Sequence, residues 1–241
     1  MTSKHTTLMD GRVKLIQSLD GLRASMDSVL LASAVTAKVN ESVLDMGCGT
    51  GSVGLCVNER LKDLNLSITG IDIQEKMILL AKDNAQANGI GGHTNYLCGD
   101  VENKTLFDAE TYNHIVMNPP YYKDGERQQS PDTVREKAYS GDLDIWFSSA
   151  LYWVKHEGSL TLIHRADKLD DILNLAKGKF GAIEIWPIYS KPDEPAIRVV
   201  VKMIRNRKTP LRLHSPVVLF NSDGKPSKRS ESILRDAKGL V

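Results

Sequence analysis

Cysteine is scarce: Cys48, Cys56 and Cys98 are all the chain has. An odd count without metal-ligand spacing leaves no disulfide framework and no cysteine-built metal site, so no metal is expected and each thiol should pack in the interior. Long hydrophobic runs are lacking too. No apolar stretch approaches the roughly 18–20 residues that span a bilayer, and Met1–Thr7 lacks the basic-then-apolar order of a secretory signal. There is no internal repeat and no low-complexity tract. These absences point to a cytoplasmic globular protein. At 241 residues, 41% apolar and 25% charged, the chain suits a single α/β domain. The first forty residues read as a helical lead-in and 186–241 as a basic C-terminal extension.

Net charge is nearly absent, at +1, which by itself argues against a polyanion partner. The average hides an asymmetry. From Trp186 onward twelve basic residues face five acidic ones, a local +7 that leaves −6 for the rest. A split of this kind hints at nucleic acid, although a solvated surface explains it equally well. Lys202, Arg205, Arg207, Lys208 and Arg212 are the candidate RNA-contacting residues.

Short apolar runs alternate with helical patterns. Expected strands are Ser42–Met46, Ser67–Ile71, Thr94–Cys98, His114–Met117, Ser159–His164, Ala182–Ile188 and Ile197–Ile204. Near-continuous apolar runs of strand length belong in a sheet covered on both faces. Apolar residues at helical spacing occupy Gln74–Asn88, Asp144–His156 and Ala166–Lys177. The alternation predicts a Rossmann-like, doubly wound, seven-stranded sheet, mostly parallel. Only Tyr189–Ala196 separates the last two strands, so they should form an antiparallel hairpin. Tyr122–Ser140 is polar and reads as a loop.

Two motifs carry chemistry. Val43-Leu44-Asp45-Met46-Gly47-Cys48-Gly49-Thr50-Gly51 is a strand entering a glycine turn, where backbone can lie against a ligand because no Cβ intervenes. Its G-x-G-x-G spacing resembles motif I of class I S-adenosylmethionine-dependent methyltransferases. Asp72 ends the second strand, where a carboxylate can accept both ribose hydroxyls. Asp100 ends the third, in reach of an adenine amine. Capping of the following helix is the competing role for such acids. The cofactor set is Asp45, Gly47, Gly49, Gly51, Asp72, Ile73, Asp100 and Val101.

Asn118-Pro119-Pro120-Tyr121 follows the fourth strand. An aromatic amine is a weak nucleophile because its lone pair is delocalised into the ring. Hydrogen bonds from both N–H groups to the Asn118 side chain and the Pro119 carbonyl would free that pair. The prolines hold the carbonyls outward, and Tyr121 offers a face on which a base can stack. A proline turn with Asn118 bonding its own backbone is the plain alternative.

This arrangement resembles the amino-group methyltransferases acting on adenine N6, cytosine N4 or protein glutamine amides. Gly21-Leu22-Arg23-Ala24-Ser25-Met26-Asp27-Ser28-Val29-Leu30-Leu31, and the tail Val217–Lys225 with Ser232-Ile233-Leu234, are similar to one bacterial group, the valine-tRNA adenine-N6 methyltransferase family. The resemblance covers nearly the whole chain. It implies S-adenosylmethionine as cofactor, tRNA as partner, and methylation of the adenine 3′ of the anticodon. Leu22, Phe220 and Pro226-Ser227 depart from that family's usual residues and bear on the RNA target. A release-factor glutamine methyltransferase is the nearest alternative, but those enzymes carry a large helical domain where this chain has 42 residues before the glycine motif. A non-catalytic RNA-binding protein on the same fold is the other. Asp27 caps a helix or closes over the cofactor. Trp146, Trp153 and Trp186 are read as packing residues, and His164 and His214 have no assigned role.

Overall fold

The computed structural model describes residues 3–18, 26–121 and 143–240. Arg23 and the polar stretch after Tyr121 lie outside them. The chain opens with a hairpin of β1 (Ser3–Leu8) and β2 (Val13–Ser18), followed by α1 (Met26–Ala34). The main sheet then builds through β3 (Ser42–Met46), α2 (Ser52–Arg60), β4 (Ser67–Asp72), α3 (Glu75–Ala87), β5 (Thr94–Cys98) and β6 (Tyr112–Met117). After these come α4 (Leu143–Trp153), β7 (Val154–Arg165), α5 (Leu169–Ala176), β8 (Phe180–Tyr189) and β9 (Ala196–Arg205). Two-residue strands β10 (Arg212–Leu213) and β11 (Val217–Val218) and the short α6 (Lys228–Leu234) close the chain.

Seven long strands stand in the order β8-β9-β7-β6-β3-β4-β5, and β10 and β11 both pair with β8 at the edge. All long pairs are parallel except those made by β9, which runs antiparallel to both neighbours. Alternation along the strands explains the layering. Val43, Val116, Ile163, Val200 and Trp186 enter one core with α1, α2 and the hairpin. Leu44, Met46, Ile115, Met117, Leu162, Val199 and Val201 enter the other beneath α4 and α5. Successive side chains point to opposite faces, so an apolar run with no polar alternation needs cover on both.

Two expectations about the ends of the chain are corrected. The helical lead-in over 1–40 is half wrong, because residues 3–18 form a hairpin and only α1 is helical. Val13, Leu15 and Gln17 are buried at every second position, the period of a strand. The boundary at 186 falls inside β8, and the basic residues that follow belong in part to β9, an interior strand between β8 and β7. Only the tail beyond it behaves as an edge addition. The helix expected over Asp144–His156 stops at Trp153, where β7 begins. Cys48 and Cys56 are buried as expected, but Cys98 is exposed.

The hairpin is fastened to α3 by two asparagines. The Ile16 N–H donates to Asn84 Oδ1 at 2.6 Å, and Asn84 Nδ2 donates to the Ile16 carbonyl at 3.1 Å. One turn later the Lys14 N–H donates to Asn88 Oδ1 at 2.9 Å and Asn88 Nδ2 donates back to the Lys14 carbonyl at 2.7 Å. Four residues of helix rise about 6 Å and two residues of strand about 6.6 Å. The side-chain amides therefore repeat at nearly the strand's own spacing and act as its missing neighbour.

Candidate active site

Ligands of open α/β sheets sit beyond the carboxyl ends of the strands. Here the register of β3 and β6 does the assembling. Met46 pairs with Met117, so Gly47 and Asn118, the next residues of each chain segment, leave the sheet side by side. Motifs some seventy residues apart thus become one site.

The glycine turn is built tightly. Gly47, Gly49 and Gly51 all have positive φ, a region costly for other residues. At Gly47 a Cβ would also strike the Trp146 ring, and at Gly51 it would lie 2.8 Å from the Tyr96 hydroxyl. At Gly49 no atom of the described residues comes within 4 Å of a Cβ position, so among these residues the space over the turn is open. Asp72 braces this turn: Gly49 N–H donates to its Oδ2 at 3.0 Å and Gln74 N–H to its Oδ1 at 2.9 Å. Each carboxylate oxygen keeps a second lone pair for a hydroxyl donor. Burial raises the Asp72 carboxyl above its ordinary range despite these bonds. Asp72 pairs with Cys98, which sets Asp100 two residues beyond on the neighbouring strand end, where its Oδ1 accepts from the Glu102 N–H at 3.0 Å. Ile73 and Val101, both half-buried, follow the same two strand ends. The open turn and the two acids fit a nucleoside cofactor.

Asp45 differs from the rest of that set. It is 1% exposed, and its Oδ2 accepts from the Gly54 N–H at 3.0 Å in the first turn of α2. Burial pushes its carboxyl up to about 7, with the Asp72 charge adding to the rise. Its bond ties β3 to α2 under the glycine turn, an anchoring position instead of an open one.

Asn84 was missed by motif reading. Fully buried, it also donates to the Thr50 carbonyl at 3.0 Å, so one amide joins the hairpin to the glycine turn. The signal was present: asparagine is a poor helix former, and two of them four residues apart lie in and just after an otherwise good helix.

On the other side of the site, Pro119 is buried and Pro120 half-buried. The Tyr121 hydroxyl contacts both Asn118 Oδ1 and, at 3.2 Å, the Ile163 carbonyl of β7. Burial holds the phenol's pKa well above its usual range, so it stays protonated and donates. Asn118 is thereby held from within its own motif, with the second lone pair of its oxygen left over. His164 meets the Tyr121 ring edge-on, with centroids 4.9 Å apart. Burial lowers its imidazole to about 4, and its buried Nδ1 has no hydrogen-bond partner among the described residues. Arg198 places its guanidinium 4.8 Å from the Tyr121 centroid and pairs with Asp27 of α1 at 3.3 Å. Sequence reading gave Arg198 no role.

The basic candidates are not gathered beside Asn118. Lys202 is 7% exposed, with its ammonium on Thr36 Oγ1. Arg205 donates to the Val154 carbonyl at 2.5 Å and pairs with Glu110 at 3.0 Å, while Arg207 pairs with Glu157 at 3.2 Å. Arg212 reaches Glu184 at 3.7 Å, and Lys208 is exposed. Because β9 is antiparallel, its last residues lie where β7 begins. From Arg198 to Ile204 is about 20 Å at the rise of a strand. Arg205, Arg207 and Lys208 therefore lie toward the sheet end opposite Asn118. Lys202 stands level with Val116 through Thr161 but turns its ammonium onto Thr36, and Arg212, paired with Glu184 alongside Lys202, lies four strands from β6. Among the described residues no cluster of three or more His, Cys, Asp or Glu is arranged to hold a metal ion.

The comparisons with known proteins agree with this geometry. Residues 23–138 match the family described as the methyltransferase small domain. A curated tRNA1(Val) (adenine(37)-N6)-methyltransferase from Glaesserella parasuis is 26% identical over 184 residues, covering 75% of each chain. One from Actinobacillus pleuropneumoniae is 22% identical and covers 84% of each. Among solved structures, a predicted O-methyltransferase from Agrobacterium tumefaciens has a TM-score of 0.75 at 22% identity, over 90% of this chain and 98% of that one. A Listeria monocytogenes protein assigned to the class I S-adenosylmethionine-dependent methyltransferases has a TM-score of 0.56 at 20% identity, over 86% and 65%. At such identities the structural likeness carries the fold alone. Sheet order, glycine turn and the match of residues 23–138 to the methyltransferase small domain agree, and the protein is an S-adenosylmethionine-dependent methyltransferase.

Proposed function

We propose that the protein methylates the N6 amine of an adenine in tRNA, and that the substrate is the adenine 3′ of the anticodon of valine tRNA. The observation that carries this reading is the β3–β6 register, which sets the glycine turn beside Asn-Pro-Pro-Tyr. The names of the relatives support the choice of RNA, and an RNA substrate implies the cytoplasm.

The residues then divide the work. Gly47, Gly49, Gly51, Asp72, Ile73, Asp100 and Val101 hold the cofactor, and Asp45 anchors the turn beneath them. S-adenosylmethionine supplies an electrophilic methyl group when bound there. Asn118 Oδ1 accepts one N–H of the base amine, using the lone pair that the Tyr121 hydroxyl leaves over, and the Pro119 carbonyl accepts the other. Both bonds draw the nitrogen toward tetrahedral geometry and localise its lone pair. Tyr121 stacks on the base. Catalysis on this account is positioning, and no side chain need act as a strong base before attack. The whole described chain serves one domain, with the hairpin as part of the cofactor wall.

Mass spectrometry of nucleosides from valine tRNA, incubated with the protein and S-adenosylmethionine, should reveal N6-methyladenosine. A relative named ribosomal RNA small subunit methyltransferase C, from Colwellia psychrerythraea, is 27% identical over half of this chain, so ribosomal RNA belongs in the same assay. Methylated ribosomal RNA, or a methylated release-factor glutamine with unmodified tRNA, would overturn the reading.

A further inference from the structure

We propose that Arg198 is a positioning residue for the acceptor base, holding the Tyr121 ring by one face so that the other receives the base. The inference rests on the assignment of Tyr121 as the stacking platform. Arg198 lies 33 residues beyond Arg165 in the chain, yet the β7–β9 register makes the two direct cross-strand partners at the sheet's carboxyl edge. Each is engaged by an acid: Arg165 Nε donates to Asp167 at 3.0 Å, and Arg198 Nε pairs with Asp27 at 3.3 Å. Arg198 Nη1 also donates to the Ile197 carbonyl at 3.0 Å. The guanidinium is thus fixed by α1 and by its own strand, and its central carbon sits 4.8 Å from the Tyr121 centroid, inside the roughly 6 Å range of a cation–π contact.

Three constraints then act on one ring. The hydroxyl is tied to Ile163 and Asn118, the His164 ring packs against the Tyr121 ring in a T-shape, and Arg198 covers a face. A stacking platform held this way loses little rotamer freedom when the base arrives, and pre-organisation of that kind strengthens binding. Asp27 enters as the group that aims the guanidinium, linking α1 to the acceptor side of the site. A cation held over a ring by a partly buried acid is a different device from a lysine that meets phosphates.

The test is a double-mutant cycle on tRNA methylation. Arg198 is half-buried, so its cation–π contact lies between the exposed and desolvated cases, and Arg198→Ala should raise the KM for valine tRNA about tenfold. The expected change in kcat is under about threefold, and calorimetric affinity for S-adenosylhomocysteine should stay within about twofold. Arg198→Lys should recover most of the loss. In a Tyr121→Ala background, Arg198→Ala should add less than about twofold. A full tenfold penalty in that background would overturn the proposal, because the arginine would then act on RNA without the ring. So would an unchanged KM in the single variant. Arg198→Met keeps the length and apolar stem, so it serves the cycle if the alanine variant fails to fold. Absence of tRNA methylation by the wild type would defeat the functional reading alone, since the same cycle can be run on whichever acceptor is methylated.

Discussion

Strand β9 begins beside the chemistry and ends far from it. Near its start Arg198 lies against Tyr121, while at its finish Lys202 and Arg205 turn into the protein toward Thr36, Val154 and Glu110. The two ends have the same composition and opposite circumstances. Basic residues counted along a chain measure a surface only if they reach it. In an antiparallel strand, a few residues decide which edge they reach. The carboxyl edge of the sheet holds fewer cations than the tail's charge implied, and each described one beside Tyr121 is matched to an acid.

That contrast can be broken experimentally, and the largest effect should come from the carboxyl edge itself. Asn118→Ala should lower kcat by about 10²–10³, as loss of one placed hydrogen-bonding group does in other sites. Affinity for S-adenosylhomocysteine should stay within about twofold. Turnover near the wild-type rate would remove Asn118 from the chemistry.

Next in size is the support under that edge. Asn84→Ala strands the Ile16 N–H and the Thr50 carbonyl. Leaving buried groups unpaired costs about 1–3 kcal/mol, so urea unfolding should shift by about that much. Because Asn84 reaches the glycine turn, cofactor affinity should weaken too, whereas Asn88→Ala, whose side chain bonds the hairpin and its own helix but not the glycine turn, should spare it. Equal cofactor affinity in both variants would uncouple the hairpin from the turn.

Two buried titrating groups offer a smaller, signed test. Asp45 ordinarily titrates near 3.8 and is pushed up to about 7. Its folded form is favoured as the neutral acid, so its contribution is complete below about pH 4 and is lost as pH rises to 7. His164 is lowered from 6.5 to about 4, so its contribution is complete above pH 6.5 and is lost as pH falls toward 4. Asp45→Asn keeps an acceptor for Gly54 and should raise Tm more at pH 8 than at pH 5. His164→Gln should flatten the acid limb. Parallel curves for either variant and the wild type would refute that group's shift.

The smallest effect belongs to the far edge. Replacing Arg207, Lys208 and Arg212 together by alanine should leave the tRNA KM within about twofold and its salt dependence unchanged. A cation that binds a phosphate makes the salt slope steeper by about one, and its removal takes that increment away. A slope reduced by two or three would bring RNA to that edge after all.

Much of this molecule was legible in the chain. Strands such as Ser42–Met46 and Thr94–Cys98 were readable to the residue, because apolar runs bounded by turns have one use in a covered sheet. The places of Asp72 and Asp100 at or just past strand ends, and of Tyr121 just past the fourth strand of the sheet, were readable as well. The hairpin was obscured because its alternation spans one strand only, with β1 exposed along most of its length. Strands β10 and β11 have two residues each, too few to carry a period. Arg198 was hidden by its neighbours, since nothing in Ile197-Arg198-Val199 marks it apart from the cations that follow.

The sequence by itself determined the repeat of strand and helix, the glycine turn, and the functional groups that Asn-Pro-Pro-Tyr presents. Each of these is a local property of backbone freedom, side-chain alternation or functional group. Tertiary structure decided what stands beside what: Gly47 next to Asn118, Arg198 against Tyr121, Asn84 between hairpin and turn, and where the tail's cations fall. Those depend on register and strand direction, which are set by packing both faces of the sheet at once and which no single segment carries.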